Sequence, residues 1–219
     1  MGWRTRTRLE PPAMDIDEAY VRWAPFYPPR SHNRLMEVEE HALRELLPQL
    51  SGRSVLDAGC GTGRYARLAR QSGAASVIGV DRSRAMLRQA SASDGRFVLA
   101  DLRSLPFADG SIDIVLCGLA LMDVEELDRA IGEMARVLSP GGTLVYSTLH
   151  PSGADEGWTR TFETPLGRHV IPSSWHSMRQ HWDACEAAGL HVSHHREPAI
   201  DGRSPARPVA LVVRADRVG

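Results

Sequence analysis

Nine residues, Val55-Leu56-Asp57-Ala58-Gly59-Cys60-Gly61-Thr62-Gly63, restrict this chain more than any other stretch. The apolar residues leading into Asp57 read as the end of a strand, and three glycines at alternate positions read as a tight turn. Arg64 to Arg70 then reads as the opening of a helix. Glycine is needed where the backbone takes a positive φ or must touch a ligand. The helix that follows offers N–H groups without partners inside the helix. Such a strand–turn–helix implies a bound, nucleotide-like ligand.

Spacing and charge narrow that ligand. The dinucleotide fingerprint spaces its glycines G-x-G-x-x-G and seats a pyrophosphate on the helix N-terminus. Here the spacing is G-x-G-x-G, and Asp57 stands two residues before the first glycine. A carboxylate so placed repels a pyrophosphate and suits an ammonium or sulfonium charge. A phosphate-gripping loop needs Gly-Lys, and the chain has no lysine: all 26 basic residues are arginine, which also removes Schiff-base chemistry.

Two more acids close short β-branched runs. Ser76-Val77-Ile78-Gly79-Val80 ends in Asp81, 24 positions after Asp57, where a carboxylate can accept from both hydroxyls of a ribose. Arg96-Phe97-Val98-Leu99-Ala100 ends in Asp101, placed to receive an exocyclic amine such as that of adenine. Helix capping is the competing account of Asp81 and Asp101; three acids at successive strand ends favour the ligand.

These motifs resemble those of the class I S-adenosylmethionine-dependent methyltransferases, in particular the UbiE-like, or type 11, group. Val55–Gly63 is similar to the group's first motif, Gly79-Val80-Asp81 to its second and Ala100-Asp101-Leu102 to its third. Leu105 to Asp113 resembles the approach to its fourth strand, and Val137 to Leu144 the turn before the fifth. Tyr20, Ala24 and Tyr27 resemble a Y-x-x-x-A-x-x-Y lid. Met122-Asp123 departs from the pattern, since many relatives carry histidine there. The resemblance covers roughly residues 18–150. It implies S-adenosyl-L-methionine as cofactor, S-adenosyl-L-homocysteine as product and no metal. Asp57 would then serve the methionine end, Asp81 the ribose and Asp101 the adenine. Gly59, Cys60, Gly61 and Gly63 would form the close-approach backbone. Tyr20, Tyr27, Arg82, Met86, Ala100, Leu102, Cys117 and Leu119 would complete the cofactor site.

The coarse layout agrees. Strands are expected near 54–57, 76–80, 96–99, 112–117 and 142–148, with helices near 64–72, 83–92 and 125–138. Asp15 to Phe26 reads as a short helix and lid, and Arg34 to Leu50 as an amphipathic helix closed by Pro48 and Gly52. Met178 to Ala188 reads as a helix stopped by Gly189, followed by strands at His191–Glu197 and Pro208–Ala215. Alternating strands and helices predict an α/β fold, a Rossmann-like, seven-stranded, mostly parallel sheet with helices on both faces. The resemblance supplies its order, 3-2-1-4-5-7-6, with the last strand antiparallel. One domain of 219 residues is expected: N-terminal helices and lid over 1–50 and a cofactor-binding half over 51–150. A hairpin insert over 151–177 would cover an acceptor pocket, with a last helix and two strands over 178–219.

The acceptor end is the least generic part. Pro151 to Gly157 reads as a flexible connector, and Arg160–Thr164 and Arg168–Pro172 flank Pro165-Leu166-Gly167 as a hairpin. Trp158, Arg160, Arg168 and Trp175 are its candidate acceptor-binding residues. His150 and His176 are the candidate bases, for an oxygen or carbon acceptor that must lose a proton. The acceptor is expected to be a small apolar or aromatic molecule.

Charge and composition bound the rest. A net charge of −1 gives no overall attraction to nucleic acid or anionic membrane. No apolar run approaches the ~20 residues needed to span a bilayer. No apolar stretch follows Arg4, Arg6 and Arg8 to make a signal peptide, so the expected compartment is the cytoplasm. Cys60, Cys117 and Cys185 are too few and too scattered for a disulfide framework or a zinc cluster. A helix would put His176 and His181 on different faces. Cys117-Gly118-Leu119-Ala120 lacks the Asn/Asp-Pro-Pro-aromatic clamp of nucleobase N-methyltransferases. A monomer or homodimer is expected. The alternatives are a cofactor-binding protein without chemistry and a methyltransferase with a protein or RNA acceptor. The second is disfavoured because the sequence displays neither a basic patch nor an added binding domain.

Overall fold

The computed structural model describes residues 13–200 and 207–218, together with the backbone of 2–5. Arg6 and Arg8 lie outside the described residues, as does the side chain of Arg4. The chain opens with β1 (Gly2–Thr5), α1 (Ile16–Trp23), α2 (Arg34–Leu46), β2 (Ser54–Ala58) and α3 (Arg64–Gln71). It continues with β3 (Ser76–Asp81), α4 (Arg84–Leu87), β4 (Arg96–Leu99), β5 (Ile112–Gly118) and α5 (Leu127–Val137). β6 (Leu138–Leu149), α6 (Ser152–Asp155), β7 (Trp158–Thr164) and β8 (Gly167–Ile171) follow. α7 (Met178–Ala187), β9 (Leu190–Arg196) and β10 (Ala210–Arg217) complete it.

Seven strands form one sheet in the order β4-β3-β2-β5-β6-β10-β9. Counted within that sheet alone, this is the order 3-2-1-4-5-7-6 that the resemblance implied. β2 runs parallel to β3 and β5, while β10 is antiparallel to both β6 and β9. Ile114 to Cys117 of β5 are all buried, as expected of a central strand covered by helices on both faces. One layer of the core packs α5 and α7 on the sheet, and the other packs α2 and α3.

Several local expectations shift for identifiable reasons. α2 stops at Leu46 because Leu47 precedes a proline and is extended, with φ −65° and ψ 134°. The helix expected over 83–92 is only α4; beyond it Ser91 takes the backbone N–H groups of Ser93 and Asp94, a local competition that ends helices. The connector over 151–157 is not a loose tether. It holds α6, and a Cβ on Gly153 would meet Trp158 Cε3 at 2.5 Å and Trp175 Cη2 at 2.6 Å. The hairpin is present, but its turn is Pro165-Leu166 alone, because Gly167 opens β8 with φ +114°.

The N-terminal region adds a strand that the helical reading missed. β1 pairs with β7 to make a second sheet, β1-β7-β8. α1 lies on this small sheet through Ala19, Trp23, Phe162 and Ile171. Nor do His176 and His181 sit on opposite faces of one helix. His176 precedes α7, and its ring meets that of His181 edge-on at 6.0 Å. His181 is fully buried, stacks on Tyr146 at 5.6 Å and has no hydrogen-bond partner on either ring nitrogen. Arg84 opens and Arg88 caps α4, which packs against β4, the edge strand that opens with Arg96.

Candidate functional site

A cavity of about 300 Å³ lies over the carboxyl ends of β2, β3 and β5, beneath α1. Its floor is the glycine turn. Gly59, Gly61 and Gly63 have φ of +72°, +54° and +89°. The N–H groups of Gly59 and Cys60 both donate to Val80 O, at 2.8 and 2.9 Å. A Cβ on Gly59 would collide with Ala120 Cβ at 2.4 Å, whereas one on Gly61 would meet nothing within 4 Å. The turn therefore presents bare backbone to open space at Gly61.

The three acids differ in state. Asp57 accepts the Ala66 N–H on Oδ2 at 2.7 Å, while its Oδ1 is buried without a partner. Burial pushes its carboxyl up to about 7, against the pull of the Ala66 N–H and of Arg64. Asp81 accepts from Gly61 N–H on Oδ2 at 2.8 Å and from Ser83 N–H on Oδ1 at 2.7 Å, so the turn itself fixes it. Burial raises its pKa as well. Asp101 instead takes a two-pronged grip from Arg103, at 2.9 Å from Nε and 2.7 Å from Nη2. That hydrogen bonding holds its carboxyl down to about 2.

Of the residues expected to form the cofactor site, Tyr20, Tyr27, Asp57, Gly59, Cys60, Gly61, Asp81, Arg82, Met86, Asp101, Leu102 and Leu119 line the cavity. Gly63, Ala100 and Cys117 are not among its lining residues. Gly63 backs onto Phe97, and Cys117 is fully buried within β5.

Arg64 and Tyr65 also line the cavity and were not anticipated, although they stand directly after the glycine turn. Arg64 Nη1 lies 2.9 Å from Glu39 Oε2, and its guanidinium sits 4.3 Å from the Tyr65 ring centre. Glu39 is completely buried and accepts from Tyr65 OH at 2.7 Å and from Ser147 Oγ. Gly118 is required here, since a Cβ would strike Tyr65 Cε2 at 1.9 Å. Leu119 then takes φ +54°, the positive-φ non-glycine among the described residues, and is held by its N–H to Ser147.

The far end of the cavity comes from scattered segments: Ile16 of α1, Met122 to Glu125 after β5, and Pro172 to Ser174 after β8. One carboxylate joins them. Asp123 accepts from Tyr20 OH and from Arg160 Nη2. Arg160 Nη2 also donates to Pro172 O at 2.7 Å. Arg160 is fully buried, and its Nε and Nη1 lack partners.

The residues expected to bind or activate the acceptor are placed differently from the reading. Arg160 is a clamp behind the wall, and Arg168 pairs with Glu163 at 2.8 Å on the hairpin surface. Trp158 donates to Glu156 at 3.1 Å, and Trp175 packs beside Leu35 and Met122. His150 is held between Ser152 Oγ at 2.8 Å and Glu197 at 2.9 Å. His176 Nε2 lies 2.8 Å from Val124 O. None of the six lines the cavity, because the insert reaches it only through the chain that leaves β8.

The cavity fits the cofactor that the resemblance implies. A buried carboxylate oxygen without a partner at Asp57 suits a cationic group, and the open backbone at Gly61 admits a ligand. Arg64 offers a guanidinium for a carboxylate nearby. Among the described residues no cluster of His, Cys, Asp and Glu could hold a metal ion, and no helix is long and apolar enough to cross a membrane.

Comparison with known proteins supports the same assignment. The family model of a methyltransferase domain matches residues 56–146. A malonyl-[acyl-carrier protein] O-methyltransferase of Pectobacterium atrosepticum is 36% identical over 172 residues, 76% of this chain and 65% of that protein. One from Enterobacter lignolyticus is 34% identical over 175 residues, 75% of this chain and 68% of that protein. The chain thus spans about two thirds of the length of these curated relatives. The crystal structure of an S-adenosylmethionine-dependent methyltransferase from Mesorhizobium loti superposes with a TM-score of 0.71 at 28% identity, covering 82% of this chain and 98% of that one. With its acid-flanked glycine turn, its sheet order and these relatives, the chain belongs to the class I S-adenosylmethionine-dependent methyltransferases.

Proposed function

We propose that the protein transfers a methyl group to the free carboxylate of a short acyl chain carried as a thioester, forming a methyl ester. The observation that carries this reading is the state of the groups around the acceptor end. Tyr20 donates its hydroxyl to Asp123, and burial raises its pKa, so it stays protonated. Asp123 is engaged by both Tyr20 and Arg160. His150 and His176 lie off the cavity. An acceptor that must lose a proton finds little help in such a site, whereas a carboxylate arrives ionised at neutral pH. The relatives named as O-methyltransferases of malonyl-[acyl-carrier protein] support the same acceptor class. Trp158 and Trp175 lend no support to the small apolar or aromatic acceptor expected from the sequence, because neither residue lines the cavity.

S-adenosylmethionine, when bound, supplies a methyl group already activated on a sulfonium. The protein's part is to hold and align. Asp57 would take the ammonium end, Arg64 the carboxylate and Asp81 the ribose hydroxyls. Asp101 would reach an adenine amine only by sharing oxygens with Arg103. At the far end Ile16, Leu119, Met122 and Val124 supply apolar wall beside Glu125 and Asp123, the latter countered by Arg160. Opposite charges attract more strongly there than in water, so an anionic acceptor is drawn toward the cationic donor without a dedicated base.

The test is incubation of purified protein with S-adenosylmethionine and two malonyl thioesters, one on an acyl carrier protein and one on N-acetylcysteamine. Mass spectrometry would look for one added methyl and its loss on saponification. Ester formation supports the reading. Methylation only of phenols, amines, protein or RNA in a parallel panel would replace it, and cofactor binding with no methylation of anything would leave a non-catalytic role.

A further inference from the structure

We infer that the outer face of α4 and the edge strand β4 docks an acidic carrier protein beside the cavity. The inference rests on the carrier-bound acceptor proposed above. The whole chain has a net charge of −1, yet between Arg64 and Leu99 it carries seven arginines against two acids, Asp81 and Asp94. Three of those arginines are paired: Arg64 with Glu39, Arg67 with Asp94 at 3.1 Å and Arg82 with Asp17 at 2.7 Å. Arg84, Arg88 and Arg96 are exposed and have no acidic partner among the described residues. Arg70, in the same span, and Arg30 are likewise exposed without an acidic partner among the described residues, whereas Arg22 pairs with Glu18 and Arg44 with Glu40.

Arg84 opens α4 and Arg88 caps it four positions on, a spacing at which like charges repel. α4 packs against β4, which starts at Arg96 and is an outer strand of the large sheet. Within the same strand Val98 and Leu99 are 36% and 46% exposed. Exposed apolar side chains and unpaired guanidinium groups along one sheet edge match a helix that is acidic with apolar residues between its charges.

The location joins this face to the chemistry. Arg82, just before α4, lines the cavity, as do Asp101 to Arg103, just after β4. Both arginines are partly exposed there, so the face begins at the cavity's rim. A carrier seated on it would deliver its thioester arm beside the opening, and its body would not need to enter.

The test reverses the charges together in an Arg84→Glu/Arg88→Glu/Arg96→Glu variant, with Leu99→Asp as a separate variant. Anisotropy of a fluorescently labelled acyl carrier protein reports binding at low and high salt. Turnover is compared on malonyl-carrier protein and on malonyl-N-acetylcysteamine. The expected result is a loss of about tenfold or more in carrier affinity and in kcat/KM for the carrier substrate, with reduced salt dependence. Turnover of the small thioester and cofactor affinity should stay unchanged. Equal carrier binding by both proteins, or an equal loss on both substrates, would overturn the docking face. So would wild-type binding of an RNA or DNA oligonucleotide more tightly than the carrier, lost in the triple variant. If the wild type binds the carrier through these arginines but methylates neither thioester, the acceptor reading fails and the docking surface stands. Methylation of the small thioester without any carrier binding is the reverse outcome.

Discussion

Replacing His181 with phenylalanine should change how the fold responds to acid. The ring is fully buried, has no partner on either nitrogen and is moved from its ordinary 6.5 down to about 3, chiefly by burial and further by His176. In the unfolded chain the same ring protonates near 6.5. A lowered folded pKa means that the unfolded state binds more protons as the pH falls. The contribution is fully present above 6.5, is lost progressively below it, and levels off near pH 3. At pH 5.0 the medium lies about 1.5 units below the unfolded value, and each unit is about 1.4 kcal/mol. His181 should therefore cost about 2 kcal/mol at pH 5.0 relative to pH 7.5. In a chain of this size that is a fall in Tm of about 4–8 °C. His181→Phe keeps an aromatic ring against Tyr146 and removes the titration, so that increment should disappear. Urea unfolding of both proteins at pH 7.5 and 5.0 gives the difference directly, since every other titrating group is common to both. Parallel pH dependences would refute the reasoning, because they would mean that His181 has the same pKa folded and unfolded.

The cofactor site makes its own predictions. Asp81→Ala should weaken S-adenosylmethionine binding by about 1–3 kcal/mol through lost charged hydrogen bonds; calorimetric titration checks it, and unchanged affinity would contradict the ribose role. Gly61→Val should abolish binding while circular dichroism stays native, since its φ of +54° and the open space before it leave a side chain nowhere to go but the cavity. Because Asp57 titrates near 7, cofactor affinity should rise with pH through that range and flatten in Asp57→Asn, as titrations from pH 5.5 to 8.5 would reveal. Asp123→Asn strips the charge partner from the buried Arg160 and should cost about 3–5 kcal/mol of stability, read as a lowered urea midpoint.

The donor half was legible because its constraints are local. Gly59 and Gly61 need positive φ and open approach, and Asp57 and Asp81 act within a few residues of that turn. The strand order followed from the resemblance, with alternation supporting it. The acceptor half was not legible, because its wall is assembled from Ile16, Met122 to Glu125 and Pro172 to Ser174, segments that share no pattern along the chain. From the sequence Arg160 and Trp158 read as acceptor-binding residues of the hairpin. Pairing with β1 and packing under α1 instead turn Arg160 inward. The basic edge escaped notice because the total charge averages it against acids placed elsewhere.

Asp123 has a consequence for the modularity of this fold. Its two oxygens are shared between a tyrosine of α1 and an arginine of β7, so three excursions from the sheet are fastened at a single point. An insert transplanted from a relative would have to bring its own guanidinium to that position, or leave a carboxylate stranded beneath the cover. Exchange of the acceptor half is thereby restricted to inserts that keep this fastening, while the glycine turn and its acids can remain untouched. The two halves of the cavity can diverge at different rates, and Asp123 marks the seam between them.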